Sequence, residues 1–163
     1  HALHVAGIHE PRKGVWLVTR YFVPGEAARM ALTSAALGGL DTRLLVPRIS
    51  DSRLVTLAAR SYYDELLEAG VKIHEYGPRM LHTKALLTDD DLCIVGGANF
   101  DHRSFRLNFE VSLLLRDRGS CDALARHLEE EFACVRPVPS PRPPRSSRAA
   151  RRNPSGSAPR CPR

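Results

Sequence analysis

The sequence predicts an α/β domain with a mixed, largely parallel β-sheet flanked by helices, followed by a disordered C-terminal tail. From residue 15 onward, short apolar runs typical of buried strands alternate with amphipathic segments long enough to be crossover helices. Beyond residue 136 the composition changes abruptly to proline, arginine and serine. We therefore divide the 163 residues into an irregular leader (1–14), a folded domain (15–136) and a tail (137–163).

The first half of the domain contains three predicted strands separated by two predicted helices. Glycines mark both helix ends, since Gly38 and Gly39 follow the first helix and Gly70 follows the second. Asp51 and Ser52 precede the second helix as N-cap residues. In chain order the segments are the strand VWLVTRYF, the helix EAARMALTSAAL, the strand TRLLVP, the helix RLVTLAARSYYDELLEA and the strand VKIHEY.

The second half of the domain has shorter elements. KALLT and LCIVGG are predicted to form two strands joined by a tight turn, and FEVSLLL (109–115) adds another strand. A final amphipathic helix is expected from Cys121 to about Val135. The tail that follows has no aromatic residue and almost no large apolar one, so it cannot bury enough surface to offset the entropy cost of ordering.

The positive charge of the chain lies in the tail. The net charge is +6, but residues 137–163 contain seven arginines and no acid, while residues 1–136 contain 17 basic and 18 acidic residues. A nearly neutral domain does not favour nucleic acid as a partner, because phosphate-tracking surfaces are basic. We expect no transmembrane segment or signal peptide in this chain, and its four cysteines match neither a zinc site nor a disulfide framework.

Residues with catalytic chemistry concentrate between positions 81 and 115. His82 and Lys84 are two positions apart in a predicted strand, so both side chains leave the same face about 7 Å apart and can reach one phosphoryl group. An imidazole acts as a nucleophile or a general acid at phosphorus. An ammonium group supplies the fixed positive charge that a metal ion would otherwise provide.

A phosphate-binding turn is predicted after the second of the short strands. Asn99 follows Gly96 and Gly97, whose missing side chains let backbone N–H groups approach an anion while the amide adds a donor. We expect Lys84, Asn99 and Gly97 to bind phosphate. Neither a metal nor another cofactor is expected, because no second carboxylate and histidine stand at ligand spacing.

Two carboxylates complete the candidate set. A catalytic imidazole needs an acceptor for its other nitrogen, and Glu110 is the best candidate to hold His82. An acid between Phe109 and Val111 in an apolar strand also indicates a buried partner. Asp89 is a candidate too, although its position at a turn also fits a residue that accepts hydrogen bonds and positions the loop. The candidate catalytic residues are His82, Lys84, Asp89, Asn99 and Glu110.

The motifs that contain these residues resemble those of a known family. HTKALLTD matches the HxKxxxxD signature of the phospholipase D superfamily, and GGAN stands where that family usually has GSxN. The segments YFVPGEA, RSYYDELLEAGVKIHEY and NFDHRSFRLNFEV resemble, in the same order, the C-terminal catalytic half of bacterial cardiolipin synthases. The resemblance covers roughly residues 15–136 and implies a phospholipase D-like catalytic half-domain.

The resemblance also implies a reaction. In it, one histidine attacks a phosphodiester to give a phosphohistidine, the other protonates the leaving alcohol, and two phosphatidylglycerols are joined with release of glycerol. His82 would be the nucleophile or the general acid, with the acid role favoured; Lys84 and Asn99 would bind the phosphoryl oxygens and Glu110 would orient His82. The implied partners are a phosphatidylglycerol-like phospholipid and a second HxKxxxxD half, in a protein associated with the bacterial cytoplasmic membrane.

Two departures from the family pattern leave alternatives open. Gly97 replaces the usual Ser or Thr and so removes a hydroxyl donor. The chain contains one HxKxxxxD motif, whereas the family's active site needs two. We therefore expect one catalytic half, completed by an N-terminal domain or by a homodimer partner. The alternatives are a single-motif homodimeric phosphodiesterase, either a phospholipase or an endonuclease, and an inactive fragment.

Overall fold

The computed structural model of the chain describes residues 2–9, 11, 13–77, 80–89, 91–101, 104, 107–135 and 137–140. The predicted tail, apart from its first four residues, lies outside these ranges. In chain order the helices and strands are α1 (Ala2–His9), β1 (Gly14–Val18), β2 (Phe22–Val23), α2 (Glu26–Leu37), β3 (Asp41–Pro47), α3 (Arg53–Arg60), α4 (Tyr63–Ala69), β4 (Lys72–Tyr76), β5 (Ala85–Thr88), β6 (Leu92–Gly96), β7 (Phe100–Asp101), β8 (Ser112–Leu115) and α5 (Arg118–Ala133).

Six strands form one mixed sheet in the order β4-β3-β1-β5-β6-β8, and β2 pairs with β7 in a separate two-stranded sheet. Strands β1, β3 and β4 are parallel to one another. The neighbours β1–β5, β5–β6 and β6–β8 are antiparallel. The predicted α/β class and mixed sheet are confirmed. Parallel pairing is confined to one half of the sheet, because a tight turn rather than a crossover helix joins β5 to β6.

Helices cover the two faces of the sheet unequally. The first core packs the sheet against α1, α2, α3 and α4, and the second core packs it against α5. Successive strand residues point to opposite faces, so Leu44 and Val46 enter the first core and Leu45 enters the second. Within α5, Leu128 and Phe132 are buried in the second core, on the apolar face that the helical periodicity predicts.

Helix ends follow the predicted signals. Helix α2 ends at Leu37, immediately before Gly38, and Gly39 has φ +88°. Helix α4 ends before Gly70, whose φ of +101° favours a residue without a side chain. The Ser52 hydroxyl accepts a hydrogen bond from the Val55 amide as the N-cap of α3.

Four segments differ from the sequence predictions. The single strand predicted over residues 15–22 is two strands, β1 and β2, in different sheets, because the chain bends between them, where the Thr19 hydroxyl donates to the Tyr21 carbonyl over 2.8 Å. Residues 2–9, predicted to be part of an irregular leader, form α1, which buries Ile8 in the first core. The single helix predicted over residues 53–69 is two helices, because the Ser61 hydroxyl donates back to the Ala58 carbonyl and a turn at Ser61 and Tyr62 interrupts the helical ladder. Beyond residue 136, the Val138 amide still donates to Ile73 in β4, so folded chain extends past the predicted boundary.

Among the described residues, every helix falls short of the combined length and apolar character that a membrane-crossing helix needs.

Candidate phosphoryl-transfer site

The strand directions bring most of the predicted site residues to one end of the sheet. We call the end where β1, β3 and β4 terminate the carboxyl end, and the opposite end the amino end. Because β5 is antiparallel to β1, the residues before β5 lie at the carboxyl end. The residues after β6 and before β8 lie there too, since Gly96 pairs with Ser112. His82, Lys84, Gly97, Asn99 and Glu110 therefore share the carboxyl end.

His82 and Lys84 are in direct contact. The Lys84 Nζ lies 3.2 Å from His82 Nδ1 and 3.1 Å from Nε2, and it donates to the His82 carbonyl oxygen over 2.9 Å. The two residues precede β5 rather than lying in it, because the partner strand β1 ends at Val18, opposite Ala85. The sequence analysis placed both side chains on one strand face about 7 Å apart. The structure instead folds the ammonium group back onto the imidazole.

The Lys84 ammonium group is partly withdrawn from water, with the residue only 9% exposed. Its pKa is lowered, mainly by burial and further by the positive charge of Arg20, while the negative charge of Glu110 opposes the shift. A poorly hydrated cation interacts more strongly with an anion than a fully hydrated one does. Arg20, which follows β1, was not among the predicted site residues, although it stands at the carboxyl end of a parallel strand, where ligands usually bind.

Glu110 lies against Gly97. A Cβ atom added at Gly97 would stand 2.5 Å from Glu110 Oε2, so the carboxylate occupies the space of a side chain at this position. Glu110 is exposed, as are Phe109 and Val111, and it accepts a hydrogen bond from Asn108 over 3.3 Å. The expectation of a buried partner is therefore wrong, because β8 begins only at Ser112 and the residues before it extend past the sheet. A hydrogen bond to His82 stays a prediction.

Asn99 is held at the site by its neighbours. The Phe100 amide donates to the buried Thr19 hydroxyl over 2.9 Å, which attaches the turn after β6 to the end of β1. The Asn99 Oδ1 is buried and has no hydrogen-bond partner among the described residues. A buried amide oxygen without a partner is costly in a folded protein. The Asn99 amide is therefore available to a ligand.

Asp89 lies at the amino end, away from the other candidates. It stands five positions after Lys84, roughly 17 Å away along an extended chain. Its Oδ1 accepts hydrogen bonds from the amides of Lys13 (2.7 Å) and Gly14 (3.0 Å), and its backbone adopts φ +52°. These contacts attach the β5 turn to the start of β1. They correspond to the positioning role that the sequence analysis left open and not to a place beside His82.

His82 also lines an open cleft of about 360 Å³ between the sheet and α5. His127 and Glu131 on α5 line the same cleft, with His127 Nε2 3.8 Å from Glu131 Oε1. In the described part of the chain, no group of three or more histidine, cysteine, aspartate and glutamate side chains is arranged to hold a metal ion. The carboxyl end thus presents an imidazole, an ammonium group and an amide, and the imidazole of His82 borders this cleft.

Comparisons with known proteins agree with this geometry. Residues 5–135 match the family model described as cardiolipin synthase, PLD-like domain. The chain is 46% identical over 130 residues to cardiolipin synthase 2 of Bacillus anthracis, covering 80% of this chain and 25% of that protein. It is 44% identical over 131 residues to cardiolipin synthase A of Pseudomonas putida, covering 80% of this chain and 27% of that protein. The chain therefore spans about a quarter of the length of the curated relatives it matches.

A solved structure supports the fold. The phospholipase D family member Nuc from Salmonella typhimurium superposes with a TM-score of 0.75 at 16% identity, covering 85% of this chain and 90% of that one. At 16% identity, this structural similarity is evidence for the fold and not for the activity. Together with the match over residues 5–135, it gives the identification that the HTKALLTD segment predicted. The chain belongs to the phospholipase D-like domain family of the cardiolipin synthases.

Proposed function

We propose that this chain is one catalytic half of a phosphatidyltransferase of the cardiolipin synthase type. The observation that carries the proposal is the contact between His82 and Lys84 at the carboxyl end of the sheet. Gly97 and Asn99 follow the neighbouring strand at the same end. A base or acid beside a fixed cation and an amide is a suitable arrangement for moving a phosphoryl group.

In the proposed reaction, a phosphatidyl group passes from one phosphatidylglycerol to another in two displacements. A histidine of the second half attacks phosphorus, a P–N bond forms, and the P–O bond to the glycerol headgroup breaks. His82 donates a proton to the departing glycerol oxygen. The hydroxyl of a second phosphatidylglycerol then attacks phosphorus, gives its proton to His82 and breaks the P–N bond. The products are cardiolipin and glycerol, and both histidines return to their starting states.

The other site residues stabilise the charge that develops on the phosphoryl oxygens. Lys84 supplies a positive charge from a partly buried position. Asn99 can present its NH₂ donors at the buried position of its amide, because a half-turn of the amide exchanges oxygen and nitrogen. The Gly97 amide already donates to the Val111 carbonyl over 2.9 Å, so Gly97 supplies open space at the turn and its predicted donation to phosphate stays a prediction. In this scheme Lys84 supplies the charge that a metal would contribute elsewhere, so neither a metal nor another cofactor is required.

We further propose that a second HxKxxxxD half docks beside β8. Alternate residues in and before this strand expose large apolar side chains, and Val95 on β6 extends the row, which we call the apolar stripe. Leu113 pairs with Val95 and Leu115 with Cys93, so these stripe residues lie on the sheet face that α5 covers farther along, and the others precede β8. A row of exposed apolar side chains next to an incomplete site fits a partner surface. The stripe consists of Val95, Leu107, Phe109, Val111, Leu113 and Leu115.

The substrate and the location follow from the same proposal. The substrate is an anionic phospholipid with a glycerol headgroup, and the protein that contains both halves works at the bacterial cytoplasmic membrane. The nearly neutral charge of residues 1–136 supports this choice over nucleic acid, which would require a basic surface near Lys84.

The test is conversion of phosphatidylglycerol vesicles to cardiolipin and glycerol by the protein that contains both halves. Substitution His82→Ala should reduce turnover by about 10²-fold or more. His127→Ala is the matched control, because His127 lines the same cleft but is paired with Glu131. Full activity of the His82→Ala protein would contradict the proposal. Activity of the 163-residue chain as a twofold dimer, with cleavage but no transfer, would instead favour the homodimeric phosphodiesterase.

A further inference from the structure

Arg20 is a second cation at the carboxyl end. It follows β1 by two positions, and its guanidinium pairs with Asp51 over 2.7 Å. Asp51 also accepts from the Tyr21 hydroxyl over 2.7 Å, and Arg20 lies 5.0 Å from the centre of the Tyr21 ring. The Arg20 side chain is 18% exposed, whereas that of Asp51 is 49% exposed. These contacts hold the guanidinium in one place and leave its carboxylate partner in contact with water.

The backbone places Arg20 close to the proposed phosphoryl site. Val18 in β1 pairs with Ala85 in β5, so the residues just after Val18 run beside the residues just before Ala85. Those preceding residues include His82 and Lys84. The two cations are near enough that the charge of Arg20 contributes to the lowered pKa of Lys84. Two positive groups held near one another form a favourable place for an anion.

We propose that Arg20 binds the phosphoryl group together with Lys84, through the non-bridging oxygens of a phosphodiester headgroup. The proposal rests on the proposed function and adds a residue to it. Asp51 holds the guanidinium while no anion is bound, and the anion then takes part of that hydrogen bonding. A guanidinium suits this role because its planar fork donates two parallel hydrogen bonds to phosphate oxygens.

The chain contains a matched control for the substitution of Arg20. Arg29 pairs with Glu65 over 2.5 Å and lies 5.5 Å from the centre of the Tyr62 ring. It thus combines the same kind of ion pair with the same kind of ring contact, but between helices α2 and α4. The seven arginines of residues 137–163 are the same in every variant, so their nonspecific binding of phosphate is the same too. A difference in phosphate affinity between the Arg20→Ala and Arg29→Ala variants would therefore come from the proposed phosphoryl site.

The experiment is an NMR titration of the 163-residue chain with inorganic phosphate and, separately, with dihexanoyl phosphatidylglycerol. We expect Arg20→Ala to weaken binding of both by about fivefold to tenfold and Arg29→Ala to change it less than twofold. Asp51→Asn should bind as tightly as the unmodified chain or more tightly, because it removes the competing carboxylate. Thermal unfolding of each variant, with Arg20→Gln as a second substitution, confirms that the folded state is being compared.

The outcomes separate this inference from the proposed function. If Lys84→Gln weakens binding and Arg20→Ala does not, the phosphoryl site stands and the role of Arg20 is wrong. If Arg20→Ala and Asp51→Asn weaken binding equally, the pair is only structural, and the inference is also wrong. If Arg20→Ala affects inorganic phosphate but not the lipid, Arg20 belongs to a site for free phosphate. If Lys84→Gln has no effect, the proposed function itself fails.

Discussion

The two ends of the sheet contain similar residue types in opposite states. At the amino end, the Asp41 carboxylate accepts hydrogen bonds from Arg43 (2.8 Å) and Lys72 (2.6 Å). Burial alone would raise the pKa of Asp41, but these two hydrogen bonds outweigh it and leave the pKa below its usual value. At the carboxyl end, Lys84 contacts only a carbonyl and an imidazole among the described residues. The negative charge of Glu110 opposes the lowering of the Lys84 pKa, but no ion pair joins Lys84 to an acid among the described residues.

From this difference we propose that the HxKxxxxD motif is divided between two roles. The motif runs along β5 from one end of the sheet to the other, with His82 and Lys84 at the carboxyl end and Asp89 at the amino end. At the amino end, Asp41 and Asp89 accept hydrogen bonds that stabilise the fold. At the carboxyl end, Lys84 forms no ion pair among the described residues, which supports its proposed role in binding a phosphoryl group. The predictions below test this division, beginning with the largest expected effect.

Replacing a lysine by glutamine should reduce activity strongly at the carboxyl end and hardly at all at the amino end. We expect Lys84→Gln to reduce cardiolipin formation by the two-half protein about 10²-fold or more, because a fixed charge is removed from the phosphoryl oxygens. Lys72→Gln removes an exposed lysine that pairs with Asp41 and should leave turnover within about twofold of the original. Initial rates on phosphatidylglycerol vesicles measure both. Equal losses would mean that the two ends do not differ in function.

Within the carboxyl end, the two adjacent glycines should differ in their effect on stability. A Cβ at Gly96 would overlap the Val111 carbonyl and lie 2.6 Å from the Ser112 Cα. Both are backbone atoms at the start of the adjacent strand β8, so they cannot easily move aside. A Cβ at Gly97 would meet only the flexible end of Glu110. We expect Gly96→Ala to lower the free energy of unfolding by about 1–3 kcal/mol and Gly97→Ala by less than about 0.5 kcal/mol. Urea unfolding gives both values, and a larger loss at Gly97 would show that Glu110 is held rigidly.

The last prediction concerns Asp89, whose loss should be smaller than that of Gly96→Ala. We expect Asp89→Ala to lower the free energy of unfolding by about 1–2 kcal/mol, because the amides of Lys13 and Gly14 lose their acceptor. Asp89→Asn keeps an acceptor and tolerates the left-handed backbone, so it should cost less than half as much. Neither variant should change phosphate binding. A loss of binding without a loss of stability would return Asp89 to the catalytic set.

Much of the fold could be predicted because it depends on local patterns. Helix α2 and the glycines that follow it are encoded by apolar spacing and by backbone preference, and the structure has them where the sequence places them. The exposure of Glu110 could not be predicted in this way. Its neighbours Phe109 and Val111 are apolar and suggest a buried strand, but all three residues precede β8 and are exposed. Helix α1 was also missed, because its apolar residues show no helical periodicity.

The sequence by itself determined the family, most of the strands and helices of the main sheet, and the identity of His82 and Lys84 as the pair to examine. These depend on residue types at short spacings, which a linear reading contains. Only the tertiary structure decided that Asp89 lies at the opposite end from that pair and that Arg20 lies beside it. The physical reason is strand direction: antiparallel pairing of β5 with β1 brings the residues after Val18 next to those before Ala85, and it carries Asp89 to the far end.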